Sequence, residues 1–201
     1  LVLFTAIIGH SLNQEEIFTA ADFLNSIQPE IQPCLSILHE HLTSMDHPTH
    51  WQWGHINQPI QWQWTVREGH SLYEDFQRHG IVYLDATELF WAKVSKHLFE
   101  FGCWSIIKWS RFLREPKASE GLRCLCRRLA KAFDSRLIVY VPDSGGPPSG
   151  AGGLLYCEAG IEEVVTWLQM NCGPPANTLE EIFPEGAEVV NQNGYFIETA
   201  S

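Results

Sequence analysis

Basic side chains are missing from most of this chain. The last 65 residues contain no Lys or Arg, and residues 1–107 carry four against twelve Asp and Glu. The other nine sit in residues 108–136 beside three acids, so the net charge of -11 joins two acidic segments around a basic one. Such a chain repels a polyanion over a Debye length of ~10 Å, which makes nucleic acid a poor partner and a basic protein surface the complementary one. Long apolar runs are missing too: no window approaches the ~18 consecutive apolar residues of a membrane-spanning helix. The opening LVLFTAIIG is short and has no cationic flank, so it is expected as a buried first strand and not as a signal remnant. No repeat longer than a Trp-Gln-Trp pair and no long low-complexity tract is present, which argues against solenoids and linkers. The six cysteines (Cys34, Cys103, Cys124, Cys126, Cys157 and Cys172) are scattered, mostly within apolar stretches. That pattern reads as reduced core thiols in a cytoplasmic protein, and Cys124 and Cys126 are too close for a zinc knuckle.

What is present is enough to build a core: 45% hydrophobic residues, 12% aromatic, in 201 residues, read as one domain over 1–201. After the first strand, Ser11 and Asn13 each offer an N-cap, and Ile17, Ala20, Ala21 and Leu24 keep helical spacing. A second helix is expected after Pro33, through Leu35, Leu38, Leu42 and Met45, then two Trp-rich strands and a short helix from Ser71 to Gly80. IVYL, residues 81–84, reads as a strand. Asp85 with Glu88 forms a capping box for a helix through Leu98, closed by Gly102, and CWSIIKW reads as a strand. A helix after Ser119 sets Leu122, Leu125, Leu129 and Phe133 on one stripe and Arg123, Arg127 and Lys131 on another. LIVYV, stopped by Pro142, has the continuous apolar pattern of a strand buried on both faces. A helix from Ile161 to Cys172, a short one capped by Thr178 and Glu181, and a hairpin of EVV and YFIET across NQNG complete the chain. The expected fold is α+β: a mixed, largely antiparallel sheet with hairpins, covered by several amphipathic helices.

Three segments invite a catalytic reading. DSGGP, Asp143 to Pro147, resembles the nucleophile segment of chymotrypsin-like serine proteases, which implies a nucleophilic Ser144 beside backbone donors for an oxyanion. Pro142 stands where that family has Gly, and Asp22 stands where its Thr-Ala-Ala-His segment has the histidine. GCWS, Gly102 to Ser105, resembles the nucleophile surroundings of papain-like proteases, whose histidine follows the cysteine; here all nine histidines precede Cys103. The third segment, HEHLTSMDHPTHWQWGH, holds five histidines, with His39, His47 and His50 as candidate metal ligands. His39 and His41 lie about 200° apart on a helix, so they cannot chelate together, and no His-Glu-x-x-His array is present. No catalytic residue is therefore assigned and no cofactor is expected.

Two further readings concern surfaces. Arg123, Arg127, Arg128 and Lys131 could clamp phosphate, but the surrounding acidity favours a helix compensated by the C-terminal segment. In HWQWGHINQPIQWQW, strand alternation puts Trp51 and Trp53 on one face and Trp62 and Trp64 on one face, with His55 between the pairs. The four indoles form either a platform that stacks a sugar or grips a partner, or the core side of a half-buried hairpin. The leading functional expectation is a non-enzymatic, soluble protein-interaction module with an acidic and aromatic surface that binds a basic partner and no membrane. In size and charge it is similar to immunity proteins that neutralise bacterial toxins, with no motif behind the likeness. The alternative is a hydrolase, with or without metal, using the cluster from His39 to His55.

Overall fold

Period-two burial organises the fold. The computed structural model describes residues 2–8, 11–43, 61–64, 78, 80–86, 90–103, 116–143, 146–148, 150–151, 159–182 and 191–200. Its strands are β1 (Val2–Ile8), β2 (Trp62–Trp64), β3 (Val82–Ala86), β4 (Phe90–Val94), β5 (Leu98–Cys103), β6 (Leu137–Asp143) and β7 (Phe196–Thr199). They form one sheet in the order β2-β3-β4-β5-β1-β6-β7, with antiparallel pairing along each ladder. A parallel bridge from Ala176 to Phe196 touches the β7 edge. The helices among the described residues are α1 (Gln14–Phe18), α2 (Ala20–Ser26), α3 (Gln28–Thr43), α4 (Pro116–Ala132), α5 (Ile161–Cys172) and α6 (Leu179–Ile182). The fold is α+β, with a largely antiparallel sheet under helices, as the patterning indicated. Among the described residues no helix is long and apolar enough to cross a membrane.

Alternate strand residues feed two cores. Val82, Leu84, Phe90, Ala92, Phe99, Phe101, Ile138 and Tyr140 pack with α1 to α4 and α6 on one side of the sheet. Trp91, Leu98, Val139 and Val141 pack on the other, with Val164 and Leu168 of α5 and with Tyr195. β6 is thus apolar on both faces, which explains its unbroken LIVYV run. It continues past the expected stop, because Pro142 pairs in register with Leu3 of β1.

The helix expected from Asp85 to Leu98 is instead a β-hairpin. Asp85 lies within β3 opposite Trp91, and Gly102 lies within β5 opposite both Trp91 and Phe4. Phe90, Ala92 and Val94 share the core face at period two, and aromatic and β-branched residues fit a pleated surface. Those contacts outweigh the local capping signal. The turn closes with the Ser95 N–H donating to the Leu98 carbonyl at 2.9 Å. Gly102 is needed because the Trp91 indole lies across it, where a Cβ would overlap the ring.

Helix starts follow the capping chemistry with local revisions. Asn13 caps α1: its side chain accepts the Glu16 N–H at 3.0 Å, and the Glu16 carboxylate accepts the Asn13 N–H at 2.8 Å. The stripe of Ile17, Ala20, Ala21 and Leu24 is buried, although the helix is divided at Thr19. α3 begins at Gln28, so Pro33 lies inside the helix on its exposed side instead of preceding it. α4 begins at Pro116, ahead of Ser119; the first helical position suits proline, whose missing N–H has no intrahelical partner there anyway. At α6 the Glu181 carboxylate accepts the Asn177 N–H at 2.9 Å, one residue earlier than the Thr178 cap expected. The segments 44–60, 65–77, 104–115 and 183–190, which hold the expected first Trp strand, the helix from Ser71, most of CWSIIKW and the EVV strand, lie outside the described residues.

The reduced-thiol expectation fails at one pair. Cys34 of α3 and Cys124 of α4 form a disulfide with their Cα atoms 5.5 Å apart and a sequence separation of 90. Scattered spacing hid this pair because the two helices meet only in the tertiary fold. In the chain-entropy account, closing a loop of that length removes about 4 to 5 kcal/mol of freedom from the unfolded chain. Cys126 and Cys172 take no part in a disulfide, and Cys126 is buried.

The same helix pair makes a second close approach one turn away. An ideal Cβ on Gly121 would lie 2.8 Å from Leu38 Cγ and 3.2 Å from Ile37 Cγ2, so the missing side chain is what lets α3 seat on α4. Alanine in a helix interior normally gains about 0.5 to 1 kcal/mol over glycine. Gly121→Ala should show no such gain in urea unfolding, and Gly121→Val should cost about 1 to 3 kcal/mol by overpacking. Full propensity gain for the alanine variant would show that the interface is loose.

Candidate functional site

Charged groups converge on Glu198. On β7, Phe196 and Glu198 pair with Tyr140 and Ile138 of β6, and strand alternation turns both toward the face covered by α4. On α4, Arg123 and Arg127 are four residues apart and so share a helix face. Glu198 Oε2 accepts hydrogen bonds from Arg123 Nε at 3.2 Å and from the Tyr140 hydroxyl at 2.9 Å. Glu198 Oε1 accepts from Arg127, through Nε and Nη2. The Arg123 guanidinium also lies 6.0 Å from the Phe196 ring centroid. Glu198 is 8% exposed, which removes most of the water that would weaken these contacts.

Tyr140 and Arg123 are shifted by their surroundings. Burial pushes the Tyr140 phenol far above its ordinary range, and the charge of Glu198 and the hydrogen bond to it add to the effect, against a smaller lowering by Arg123. At Arg123 burial works against the charge, but the hydrogen bond and charge of Glu198 more than offset it, and Glu180 contributes. The result is a guanidinium held above its usual value. This arrangement fixes a carboxylate among three donors and fastens the last strand to α4.

A second polar group occupies the opposite sheet face. Lys93 and Glu100 are cross-strand partners on β4 and β5, with Lys93 Nζ 3.2 Å from Glu100 Oε1. The same ammonium lies 5.1 Å from the Trp91 ring and 5.8 Å from that of Tyr83. Those rings stack at 6.1 Å with 6° between their planes. Glu100 is 2% exposed, so this cation is held by a buried carboxylate and two ring faces.

Trp62, a sequence candidate for binding, lies in the larger core with 3% of its surface exposed, while Gln61 and Gln63 are exposed. Its indole packs 6.3 Å from the Phe101 ring, so it presents no open face to a partner. Its Nε1 has no hydrogen-bond partner among the described residues. Outside the strand ladder, Asn25 grips its backbone: Oδ1 accepts the Trp62 N–H at 2.7 Å and Nδ2 donates to the Trp62 carbonyl at 3.0 Å. Trp64 lies on β2 and His39 on α3, with their side chains outside the described residues. Trp51, Trp53, His55, His47 and His50 fall outside them entirely, as does Ser144. Among the described residues no group of three or more His, Cys, Asp or Glu could hold a metal ion.

The structure therefore completes its best-defined polar site with Tyr140 and Glu198, which the sequence reading had not selected, beside Arg123 and Arg127, which it had. The basic stripe with no basic residue downstream did signal that α4 is neutralised by the C-terminal segment. Which carboxylate performs this depends on β7 lying beside β6, and local patterning carries no such information.

Surface charge is segregated as well. Glu15, Glu16, Asp22, Glu30 and Glu40 are exposed on α1 to α3, a region with no Lys or Arg before residue 67. Phe23, 37% exposed, lies among them and meets Phe133 edge-on at 5.1 Å. Arg127, Arg128 and Lys131 are exposed on α4. No protein family, curated protein or solved structure matches the chain.

Removing the Glu198 carboxylate leaves two guanidiniums and a buried hydroxyl without their acceptor. Glu198→Ala should cost about 2 to 4 kcal/mol, with the lower end set by solvent at Arg127, and Glu198→Gln less. Denaturant melts of both variants measure this. Because the folded Tyr140 pKa is raised, its contribution is complete below the unfolded value of ~10 and is lost as pH rises above it. The stability gap between the native chain and Tyr140→Phe should accordingly narrow above about pH 10. A gap that stays constant there would remove Tyr140 as an alkaline-sensitive group.

Proposed function

We propose that the protein is a non-catalytic interaction module that docks a basic protein partner on the acidic layer of α1 to α3. The observation that supports this reading most is the use made of the basic residues. Arg123 and Arg127 are engaged by Glu198, while Glu15, Glu16, Asp22 and Glu30 are exposed on α1 to α3 in a segment with no Lys or Arg before residue 67. Phe23 adds an aromatic contact at the edge of that layer. Complementary charge of this kind mainly speeds association and selects partners. An immunity-like role, in which such a layer covers the basic site of a toxin, is one form of this proposal. The Cys34–Cys124 bond bears on compartment: it fits an oxidising environment better than the cytoplasm that reduced thiols implied.

The test is titration of the isotope-labelled protein with a Lys- and Arg-rich polypeptide, followed by amide chemical shifts. Shifts should cluster on α1 to α3, weaken steeply with salt and disappear in Glu15→Lys/Asp22→Lys/Glu30→Lys. Perturbation spread evenly over every acidic helix, or confined to α5 and α6, would defeat the assignment. Stoichiometric zinc or nickel in the purified protein would defeat the non-catalytic reading and turn attention to the histidines between 39 and 55.

A further inference from the structure

The two sulfurs of the α3–α4 cross-link have different surroundings. Cys34 is fully buried in the larger core beside Ile31, Leu35 and Leu38, whereas Cys124 is half-buried and only packs against that core. The two helices also differ in how they are held. α4 is tied to the sheet by its buried Leu122, Leu125 and Leu129 and by the two arginines on Glu198. Among the described residues α3 packs far more extensively on α4 than on any other element, and at Gly121 the approach leaves no room for a Cβ beside Leu38. One helix is an anchor and the other is fastened to it.

We propose that Cys124 is a thiol–disulfide exchange site, reached by a small dithiol, and that opening it frees α3 as a unit while α4 stays on the sheet. A thiolate of the reductant attacks Cys124 Sγ, and the Sγ–Sγ bond breaks. Its electron pair leaves on Cys34 Sγ, which takes up a proton. The second thiol of the reductant, as thiolate, then attacks the reductant's own first sulfur, now bonded to Cys124 Sγ; this closes a cyclic disulfide, and the bond to Cys124 breaks with its electron pair on Cys124 Sγ, which takes up a proton. Two protein thiols and one oxidised dithiol result. Attack in the opposite sense requires a nucleophile to enter the apolar core at Cys34, where desolvation opposes a charged thiolate. The apolar setting of Cys34 also makes it a slow leaving group, so exchange is expected over hours and not seconds.

The experiment uses the whole oxidised chain in two arms. In the first, limited exposure to reduced glutathione, acid quench and peptide mapping should place the glutathionyl adduct on Cys124 with Cys34 as free thiol. An adduct on Cys34, equal adducts on both, or no linked Cys34–Cys124 peptide in the starting protein would overturn the proposal. In the second arm, hydrogen exchange is compared before and after dithiothreitol. Amides of α3 should exchange at least about tenfold faster once reduced, with much smaller changes in α4 and β6. Reoxidation by glutathione disulfide should restore them. An equal rise in α4 and β6, or none in α3, would show that the bond does not control α3 separately.

Discussion

The seating of α4 on the sheet is the constraint on which the rest depends. Its apolar stripe of Leu122, Leu125 and Leu129 faces the core, and its two flanks carry further fastenings. On one flank Arg123 and Arg127 reach the buried Glu198, which brings the last strand into the sheet. On the other, Cys124 and Gly121 receive α3. A single helix of seventeen residues therefore joins the N-terminal helical layer to the C-terminal strand. Burying Glu198 carries a desolvation cost, and three donors converging on one carboxylate are what offset it.

The same helix explains the charge layout. Glu15, Glu16, Asp22, Glu30, Glu162, Glu163, Glu180 and Glu181 all lie in first helical turns, where a carboxylate opposes the helix dipole. α4 is the exception, with no acid in its first turn and Lys131 in its last. Much of the acidity is thus local helix chemistry. The part that bears on the proposed docking face is on α1 to α3, where the sequence has no Lys or Arg before residue 67.

Much of the fold was legible because it is written at short range. The capping box at Asn13 and Glu16, the α4 stripe, the doubly apolar β6 and the strand character of residues 81–84 follow from spacing alone. The α4 arginines were legible as a compensated face for the same reason. What escaped needed long-range contact. Asp85 and Glu88 satisfy a capping pattern, yet pairing with β2 and β4 decides that segment. Cys34 and Cys124 look unrelated until α3 crosses α4, and Glu198 is one of many acids until β7 is laid beside β6. The tryptophan pattern was ambiguous in sequence, and burial answers it only at Trp62.

The Asn25 amide has an effect that reaches beyond its two hydrogen bonds. Donating to and accepting from the backbone of Trp62, it behaves like a one-residue strand laid along the outer border of β2. It also reads position: only a residue at that point, with its N–H and carbonyl turned outward, can satisfy both ends of the amide. A slip of β2 by one residue would swing the indole to the opposite sheet face and leave Asn25 facing the wrong backbone groups. One side chain on α2 thereby acts as an index mark that decides which way a tryptophan points.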